Sequence, residues 1–397
     1  MVSTRIYDAV VVGGGPAGAT AAETLARNGR AVLLLDKAGR IKPCGGAIPP
    51  KLIHDYRIPD SQLVARINTA RIIAPSAKNV DIPIEGGFVG MVDREHFDEY
   101  LRNRAALLGA ERRTGAFERF EESDDGTLSV VYRPGSPAAK DHIERVQTRL
   151  LVGADGARSK VARQLFGERD GVPPCVFAYH EIIEAPAGDF DGGRCDVHYD
   201  GRISPDFYGW VFPHGKTVSV GTGSANKGFS LKGATADLRR ATGLGASHTI
   251  RCEGAPIPLR PLRRWDNGRN VVLAGDAAGV VAPASGEGIY YAMLGGELAG
   301  EAVDQALERN EMRQLASARR RFMRTHGGVF WILGMMQRYW YTNDDRRERF
   351  VSICRDKDVQ VLTFDAYMNK ELVKARPLAH VRIFFKNIAH LSGLVPA

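Results

Sequence analysis

The sequence predicts an α/β protein in which a domain with a parallel sheet is interwoven with a second domain built on an antiparallel sheet, with helices at the C-terminal end. Three observations support this fold class. The chain opens with a buried strand, a helix and a second buried strand, which is typical of parallel sheets. Strands of this buried type return at 148–155 and 270–275, after stretches that indicate strands of another sheet. Beyond residue 310 the apolar spacing is helical.

The opening elements follow from local patterns. Residues 6–12 are apolar and β-branched, as expected of a buried strand. Residues 17–28 are rich in alanine and predict a helix, which Gly29 is suited to end. Residues 31–36 (AVLLLD) predict a second buried strand. The chain therefore begins with a βαβ unit.

Later elements alternate between the two predicted sheets. Short strands are predicted within 62–90 and 113–133, and an amphipathic helix is predicted over 93–109. Residues 175–225 are again strand-like, with many aromatic and β-branched residues. A Gly-rich turn and a helix follow the strand at 270–275. Because the sequence shows no internal repeat, we expect two domains joined by insertion rather than placed end to end.

The composition is that of a globular protein, with 397 residues, 44% hydrophobic and 25% charged. It excludes a disordered, collagen-like or coiled-coil chain. No stretch of 18 or more residues is apolar and uncharged, so no membrane-spanning helix is predicted. The first residues lack a signal-peptide layout, and the five cysteines form no C-x-x-C pair. We therefore expect a cytoplasmic protein without disulfides, and the ten histidines show no metal-binding spacing.

Positive charge is concentrated near the C-terminal end. Residues 301–397 contain 17 Lys and Arg against 11 Asp and Glu, which is +6 of the net +8. The same region holds aromatic and methionine clusters at 325–343 and alternating basic and apolar residues at 375–397. This combination favours peripheral contact with an anionic membrane surface and disfavours nucleic acid as a partner. A helical bundle that covers a domain is the alternative interpretation.

The first chemical motif is the run from Gly13 to Gly18, which matches G-x-G-x-x-G between a strand and a helix. Its glycines permit a tight turn, a close approach of backbone to a pyrophosphate, and close packing of helix on strand. Asp36 ends the next strand, 18 residues after Gly18, where a carboxylate can bind a ribose diol. The motif predicts a Rossmann-like dinucleotide site; a purely structural turn is the alternative. The candidate binding residues here are Gly13, Gly15, Pro16, Ala17, Gly18, Asp36 and Lys37.

Two further strand–turn–helix motifs occur later in the chain. The first has Asp155 and Gly156 after a strand. The second has Gly275 and Asp276 after a strand and then a helix start rich in glycine, whose N–H groups can face an anionic ring. Each of them alone could be structural. The candidate binding residues are Asp155, Gly156, Gly275, Asp276, Gly286, Gly288 and Ile289.

Together and in this order, the three motifs resemble those of the FAD-dependent family with the p-hydroxybenzoate hydroxylase fold. The resemblance implies that the first motif binds the FAD pyrophosphate and that Asp155 lies near both FAD and a reduced nicotinamide. It also implies that Asp276 binds the ribityl chain, with Gly286 and Gly288 beside the flavin ring. Arg94 matches an arginine that often contacts FAD in this family.

The absence of a second G-x-G-x-x-G and of paired redox cysteines argues against the two-dinucleotide disulfide reductases. NADPH, the expected electron donor, would therefore bind transiently, without a binding domain of its own. We expect the FAD-binding domain to comprise 1–75, 92–112, 146–172 and 265–308. The substrate domain would comprise 76–91, 113–145 and 173–264, followed by a helical region at 309–397.

Two segments resemble signatures of the geranylgeranyl reductases. Residues 42–49 read KPCGGAIP, and residues 205–213 read PDFYGWVFP. The first is especially similar to members of the (bacterio)chlorophyll pathway. The resemblance implies that Cys44, Gly45 and Gly46 lie near the flavin and that the second segment lines the substrate side. Candidate catalytic residues are Cys44, Tyr208 and Trp210; a small buried cysteine and core aromatics are the alternative.

The implied reaction is the reduction of isolated C=C bonds in a geranylgeranyl chain to give a phytyl chain, with NADPH as electron donor. The chain would be carried by a tetrapyrrole ester or a diphosphate. The implied location is the cytoplasmic face of the inner, photosynthetic membrane, as a peripheral protein. Alternatives are an FAD-dependent aromatic monooxygenase, a prenyl reductase acting on menaquinone or archaeal-type lipids, and a non-enzymatic prenyl carrier.

Overall fold

The computed structural model describes residues 5–37, 41–135, 142–188, 190–360 and 370. The chain divides into two compact units, each built from three separate segments. The first unit comprises Met1–Lys42, Arg94–Cys175 and Ile257–Gly327. The second unit comprises Pro43–Asp93, Val176–Pro256 and Gly328–Ala397.

The strands, in chain order, are β1 (Ile6–Val12), β2 (Val32–Asp36), β3 (Ala47–Ile48), β4 (Ala65–Ile67), β5 (Thr69–Ile73), β6 (Asn79–Pro83), β7 (Val89–Met91), β8 (Glu111–Glu122), β9 (Leu128–Pro134), β10 (Glu144–Gly153), β11 (Cys175–Glu184), β12 (Arg194–His198), β13 (Gly209–His214), β14 (Thr217–Ser224), β15 (Thr249–Pro258) and β16 (Val271–Leu273). The α-helices are α1 (Pro16–Arg27), α2 (Pro50–Asp55), α3 (Arg94–Leu107), α4 (Lys160–Asp170), α5 (Leu231–Ala241), α6 (Ile289–Arg309), α7 (Ser317–Trp340) and α8 (Asp344–Ile353).

The first unit is built on a six-stranded sheet. Five strands run parallel in the order β8–β2–β1–β10–β16, and β9 pairs antiparallel with both β8 and the first half of β10. Val10 and Val11 at the centre of β1 are fully buried, as the unbroken apolar run requires. Helix α1 packs against α6, where a Cβ on Gly296 would lie only 2.0 Å from the carbonyl oxygen of Ala17. Close packing of these helices fixes the start of α1 at the carboxyl end of β1.

The second unit contains two sheets. The larger has the strand order β15–β11–β14–β13–β12–β5–β6. From β11 to β6 its pairs are antiparallel apart from β12–β5, which is parallel. The smaller has the order β3–β7–β4 and is antiparallel. Helix α5 packs against β14 of the large sheet. The core there contains Ile183, Val211, Val218, Val220 and Leu238.

The predicted fold class is confirmed, since a mainly parallel α/β sheet and a mainly antiparallel sheet alternate along one chain and helices α7 and α8 follow. None of the helices in the described part of the chain is long and apolar enough to cross a membrane. The predicted basic and apolar segment at 375–397 lies outside the described residues.

The structure differs from the predicted domain boundaries in three places. Residues 113–145 were assigned to the substrate sheet, but β8 and β9 belong to the sheet of β1. Residues 43–75 were assigned to the FAD domain, but they fall in the second unit, where β5 pairs with β6 and β12. The predicted helical region at 309–397 is divided between the units at Gly327. Alternation of buried and exposed residues identifies a strand and its covered face, but it does not identify the strand with which it pairs.

Candidate functional site

The glycine turn between β1 and α1 is shaped by close backbone contacts. Gly13 has a φ of +104°, and a Cβ there would lie 2.3 Å from the carbonyl oxygen of Ala154 at the end of β10. A Cβ on Gly18 would lie 1.8 Å from the carbonyl oxygen of Gly13. Only glycine therefore allows the turn to lie against both β10 and the first turn of α1.

The same turn leaves an open space at the start of α1. Apart from the adjoining residues of the chain, no atom of the described residues lies within 4 Å of a Cβ placed on Gly15. Pro16 is the first residue of the helix, and among the described residues no side chain caps the helix at Gly15. Backbone N–H groups and the positive end of the helix dipole therefore face this space, which suits a pyrophosphate.

Asp36 lies beside this turn at the end of β2. Its Oδ1 accepts a hydrogen bond from the backbone N–H of Gly14 at 2.8 Å. Arg102 on α3 donates to the carbonyl oxygen of Gly14 at 3.0 Å and lies 3.4 Å from the Asp36 Oδ2. Ribose binding by Asp36 stays a prediction, but the carboxylate is at the turn. Arg102 belongs to no motif of the sequence; the only signal that could have identified it is its place on the predicted helix, two steps of four residues after Arg94.

The Asp155 carboxylate forms its hydrogen bonds with the start of α4. The carboxylate accepts from the Ser159 hydroxyl at 2.5 Å and from the Lys160 N–H at 2.6 Å. Burial raises the pKa of Asp155 above its ordinary value, and these hydrogen bonds oppose that shift. The structure thus shows a helix-capping role for this side chain. Gly156 follows with a φ of +85°, and its contact with a dinucleotide stays a prediction.

The third motif lies against the first. A Cβ on Gly275 would come within 2.5 Å of the Ala17 Cβ, so the Gly-Asp turn packs directly on the start of α1. The neighbouring Asp276 is buried, and its Oδ2 pairs with the Lys42 ammonium at 2.5 Å. The three motifs therefore converge at the carboxyl ends of β1, β10 and β16, where ligands bind in open α/β sheets. Lys42 was not among the predicted site residues, although it opens the KPCGGAIP segment.

Helix α6 begins at Ile289, directly after Gly288, which precedes its first turn. Gly286 has a φ of +65°, which a side chain would disfavour. Glu287 Oε1 accepts from the Tyr290 N–H at 2.9 Å and so caps this helix. The predicted glycines thus form the helix entry, and the Glu287 carboxylate between them holds its first turn.

Two other predicted residues of the first unit have different surroundings. Arg94 is buried and forms two hydrogen bonds to the Asp98 carboxylate, both at 2.8 Å. Lys37 is exposed, directly after β2. Contact of either residue with FAD stays a prediction.

In the second unit, the loop with Cys44 lies against one face of β13. A Cβ on Gly45 would lie 3.1 Å from the Phe212 ring, and a Cβ on Gly46 would lie 2.5 Å from the His214 ring. Gly46 donates its N–H to the Cys44 Sγ at 3.4 Å. The structure thus brings together the two segments that resemble geranylgeranyl reductases.

Aromatic residues line the same side of β13, because alternate residues of a strand share a face. The ring centroids of Tyr208 and Trp210 are 6.1 Å apart, and those of Trp210 and Phe212 are 6.3 Å apart. Burial raises the pKa of Tyr208 far above its usual value, and electrostatic interactions with Tyr341 and Cys44 add to the shift. Tyr208 therefore stays protonated at ordinary pH.

Buried polar contacts hold this strand and the preceding loop. The Trp210 indole N–H donates to Ser219 Oγ at 3.1 Å, and His180 contacts the same oxygen at 2.9 Å. The guanidinium of Arg347 on α8, almost fully buried, donates to the carbonyl oxygens of Ser204 at 3.1 Å and Pro205 at 2.6 Å. These bonds fix the start of the PDFYGWVFP segment.

The residues of the first unit fit FAD. The open space over Gly15 can take a pyrophosphate, Asp36 offers a carboxylate directly beside the turn, and Asp276 offers one beside the entry to α6. All five cysteines are free thiols. Among the described residues, no group of His, Cys, Asp or Glu is arranged to hold a metal ion.

The chain is similar to known proteins over nearly all of its length. A family model for pyridine nucleotide-disulphide oxidoreductases matches residues 7–166. The geranylgeranyl diphosphate reductase of Rhodobacter capsulatus is 58% identical, over 98% of this chain and 98% of its own length. The enzyme of the same name from Synechocystis is 35% identical, over 96% of this chain and 97% of its own length.

A solved structure shows the same fold. It is that of a geranylgeranyl bacteriochlorophyll reductase-like protein from Thermoplasma acidophilum, with a TM-score of 0.81 and 23% identity, covering 94% of this chain and 99% of that one. The full-length relatives support a reductase over a monooxygenase. The chain belongs to the geranylgeranyl reductase family of FAD-dependent oxidoreductases.

Proposed function

We propose that this protein reduces isolated C=C bonds of a geranylgeranyl chain to the phytyl level, with NADPH as the electron donor. The observation that carries the proposal is the contact between the Cys44 loop and the aromatic face of β13. The prenyl chain would be a diphosphate, as the names of the curated relatives state for them, or would be esterified to chlorophyll or bacteriochlorophyll. Overall, one NADPH and one proton add two hydrogens across each double bond.

The first unit provides the cofactor site. FAD, when bound, supplies the hydride that adds to the alkene. The N–H groups at the start of α1 would bind its pyrophosphate, and Asp36 would accept hydrogen bonds from the adenosine ribose. Lys42 neutralises Asp276 and holds this carboxylate in place for a hydroxyl of the ribityl chain.

The second unit provides an apolar surface. The rings of Tyr208, Trp210 and Phe212 follow one another along this strand and offer an apolar face on which a hydrocarbon chain would lie. Burial of such a chain is worth about 0.8 kcal/mol per CH₂. Exclusion of water by these rings would also protect the reacting carbons from competing reactions.

An unactivated alkene has no carbonyl oxygen to polarise, so a proton donor must lie close to the carbon that does not receive the hydride. We propose that the Cys44 thiol or the Tyr208 hydroxyl provides this proton, with a held water as the alternative. Trp210 donates its indole N–H to Ser219, so we assign it to the wall of the substrate site rather than to proton transfer.

The reaction is tested by mass spectrometry of geranylgeranyl diphosphate and geranylgeranyl bacteriochlorophyll after anaerobic incubation with dithionite-reduced holoenzyme. The proposal requires mass gains in steps of two hydrogens. In single-turnover experiments, loss of the proton donor is expected to slow reduction roughly 10²–10⁴-fold. Cys44→Ala and Tyr208→Phe are compared with Cys252→Ala, which removes an exposed thiol. If both variants keep the wild-type rate, neither residue donates the proton.

The electron donor is tested separately, by following the bleaching of the flavin absorbance on addition of NADPH or NADH. We expect faster bleaching with NADPH. Stoichiometric oxygen uptake with a hydroxylated product would instead support the monooxygenase alternative. A protein that binds prenyl chains but never bleaches would support the non-enzymatic carrier.

We further propose peripheral contact of α7 with an anionic membrane surface on the cytoplasmic side. Four large apolar side chains are exposed on this helix, at positions close to a spacing of four: Trp331 (66%), Ile332 (38%), Met335 (52%) and Tyr339 (39%). Arg338 is exposed among them, and the Arg346 guanidinium lies 4.2 Å from the Tyr339 ring centroid. Aromatic and arginine side chains together suit the interface between lipid head groups and acyl chains.

Flotation with phosphatidylcholine vesicles, with and without phosphatidylglycerol, tests this contact. We expect binding that needs the anionic lipid and falls with salt. Trp331→Glu is expected to lower binding about tenfold or more, because it removes apolar area and adds a repelling charge. Leu107→Glu on α3 is the matched control, since Leu107 is 87% exposed. Equal binding by wild type and Trp331→Glu would show that α7 is not the contact.

A further inference from the structure

The face of β13 that carries Trp210 and Phe212 ends in His214, a residue that no motif singled out. Its Nε2 lies 2.9 Å from the carbonyl oxygen of Gly45. A carbonyl oxygen can only accept, so Nε2 must carry the hydrogen in this bond. The bond connects the end of β13 directly to the loop of Cys44.

The loop has little room to move on this side. Gly46 has a φ of +73°, and a Cβ there would lie 2.5 Å from both the His214 Cε1 and the carbonyl oxygen of Val92. The Val92 N–H in turn donates to the carbonyl oxygen of Gly46 at 2.9 Å. Gly46 thus packs closely against His214 and is hydrogen-bonded to the residue that follows β7.

His214 is neutral at ordinary pH. Burial lowers its pKa to about 4, and the charges of Arg251 and His180 also lower it, whereas Asp93 and the bond to Gly45 oppose the shift. A neutral imidazole donates one hydrogen bond to the loop and places no charge beside an apolar substrate surface.

We propose that His214 is a positioning residue that holds the Cys44 loop against β13 and so sets the direction of the Cys44 thiol. Its effect on alkene reduction rests on the proposed function. Its effect on the loop does not, because the hydrogen bond and the glycine contacts are independent of any substrate.

The test compares variants that keep or lose the N–H donor. His214→Gln can place an amide N–H near the position of Nε2, whereas His214→Met fills the space without a donor. The readout is the rate at which Cys44 reacts with iodoacetamide, followed by peptide mass spectrometry. Exposed Cys252 serves as the internal reference, and buried Cys195 and Cys354 report loss of the fold.

We expect His214→Met to raise the Cys44 alkylation rate about tenfold, the effect of losing one buried hydrogen bond. We expect His214→Gln to stay within about twofold of wild type. In alkene reduction, His214→Met should lower kcat more than it raises KM, and His214→Gln should restore kcat. If His214→Met exposes the buried cysteines, His214→Asn replaces it, since its amide is too short to reach Gly45.

Wild-type alkylation rates in His214→Met or His214→Asn would overturn the proposal. So would an equal loss of kcat in His214→Gln and His214→Met. If the alkylation contrast appears but the wild-type enzyme leaves geranylgeranyl substrates unchanged, the positioning role stands and the proposed function fails.

Discussion

Replacement of Asp36 tests the cofactor site most directly. This carboxylate holds the Gly14 N–H at 2.8 Å, beside the open space at the start of α1. Asp36→Ala would lose the hydrogen bonds to a ribose and leave the Gly14 N–H without its acceptor. Asp36→Asn keeps an oxygen for Gly14 but loses the negative charge.

The expected size follows from the bonds that are lost. A hydrogen bond to a charged group contributes about 1.5–3 kcal/mol, and about 1.4 kcal/mol corresponds to tenfold in Kd. We therefore expect Asp36→Ala to raise the Kd of FAD roughly 100-fold. Asp36→Asn, which loses only the contribution of the charge, should raise it about tenfold.

The assay is titration of the apoprotein with FAD, followed by quenching of flavin fluorescence. Asp8→Asn is the matched control, because Asp8 also accepts from a backbone N–H, that of Ala31 at 2.9 Å, but lies near the amino end of β1. Its Kd should equal that of wild type. An Asp36→Ala protein that binds FAD as tightly as wild type would refute the assignment of Asp36 to the ribose.

Three further predictions concern stability, measured by the midpoint of unfolding. Arg94→Leu should destabilise the protein by about 3–5 kcal/mol, because the buried Asp98 carboxylate loses its partner. The double variant Arg94→Leu/Asp98→Leu should recover much of this loss. A double variant no more stable than Arg94→Leu would contradict the reasoning. Burial lowers the pKa values of His198 and His214 to about 4, so on acidification these side chains take up protons in the unfolded chain before they do so in the folded protein. The free energy of unfolding should therefore fall by roughly 1–3 kcal/mol for each histidine as the pH drops from about 6.5 towards 4. A free energy of unfolding that does not change over this pH range would count against the prediction. Arg347→Met should cost about 2–4 kcal/mol, because it leaves buried carbonyl oxygens unpaired, and a smaller effect than that of an exposed control such as Arg202→Met would contradict it.

Much of the first unit could be predicted because its signals are local. The glycine turn, the alanine-rich helix and the strand ending in Asp36 are adjacent in sequence, and each has its own propensity. The strand of 6–12 is β1, and the helix expected over 17–28 is α1 within one residue at each end. The three motifs lie together because parallel strands present their carboxyl ends at one edge of a sheet.

Long-range contacts could not be predicted in this way. Lys42 meets Asp276 across 234 residues, and a lysine in a glycine-rich loop has no local feature that identifies its partner. His214 was missed for a similar reason, because its acceptor is a backbone carbonyl 169 residues away. The strands β8 and β9 were placed in the other sheet because pairing partners, unlike buried faces, leave no periodic mark in the sequence.

The threefold segmentation of both units has a consequence for biosynthesis and for protein engineering. The ribosome must synthesise the chain as far as Gly327 before all three segments of the first unit exist. Folding of that unit therefore cannot be completed while only its N-terminal strands have left the ribosome. A chain cut at Pro256 would lack both β16 and α6. Neither half can therefore be obtained by a single cleavage, and exchange of parts with a relative would require several simultaneous junctions.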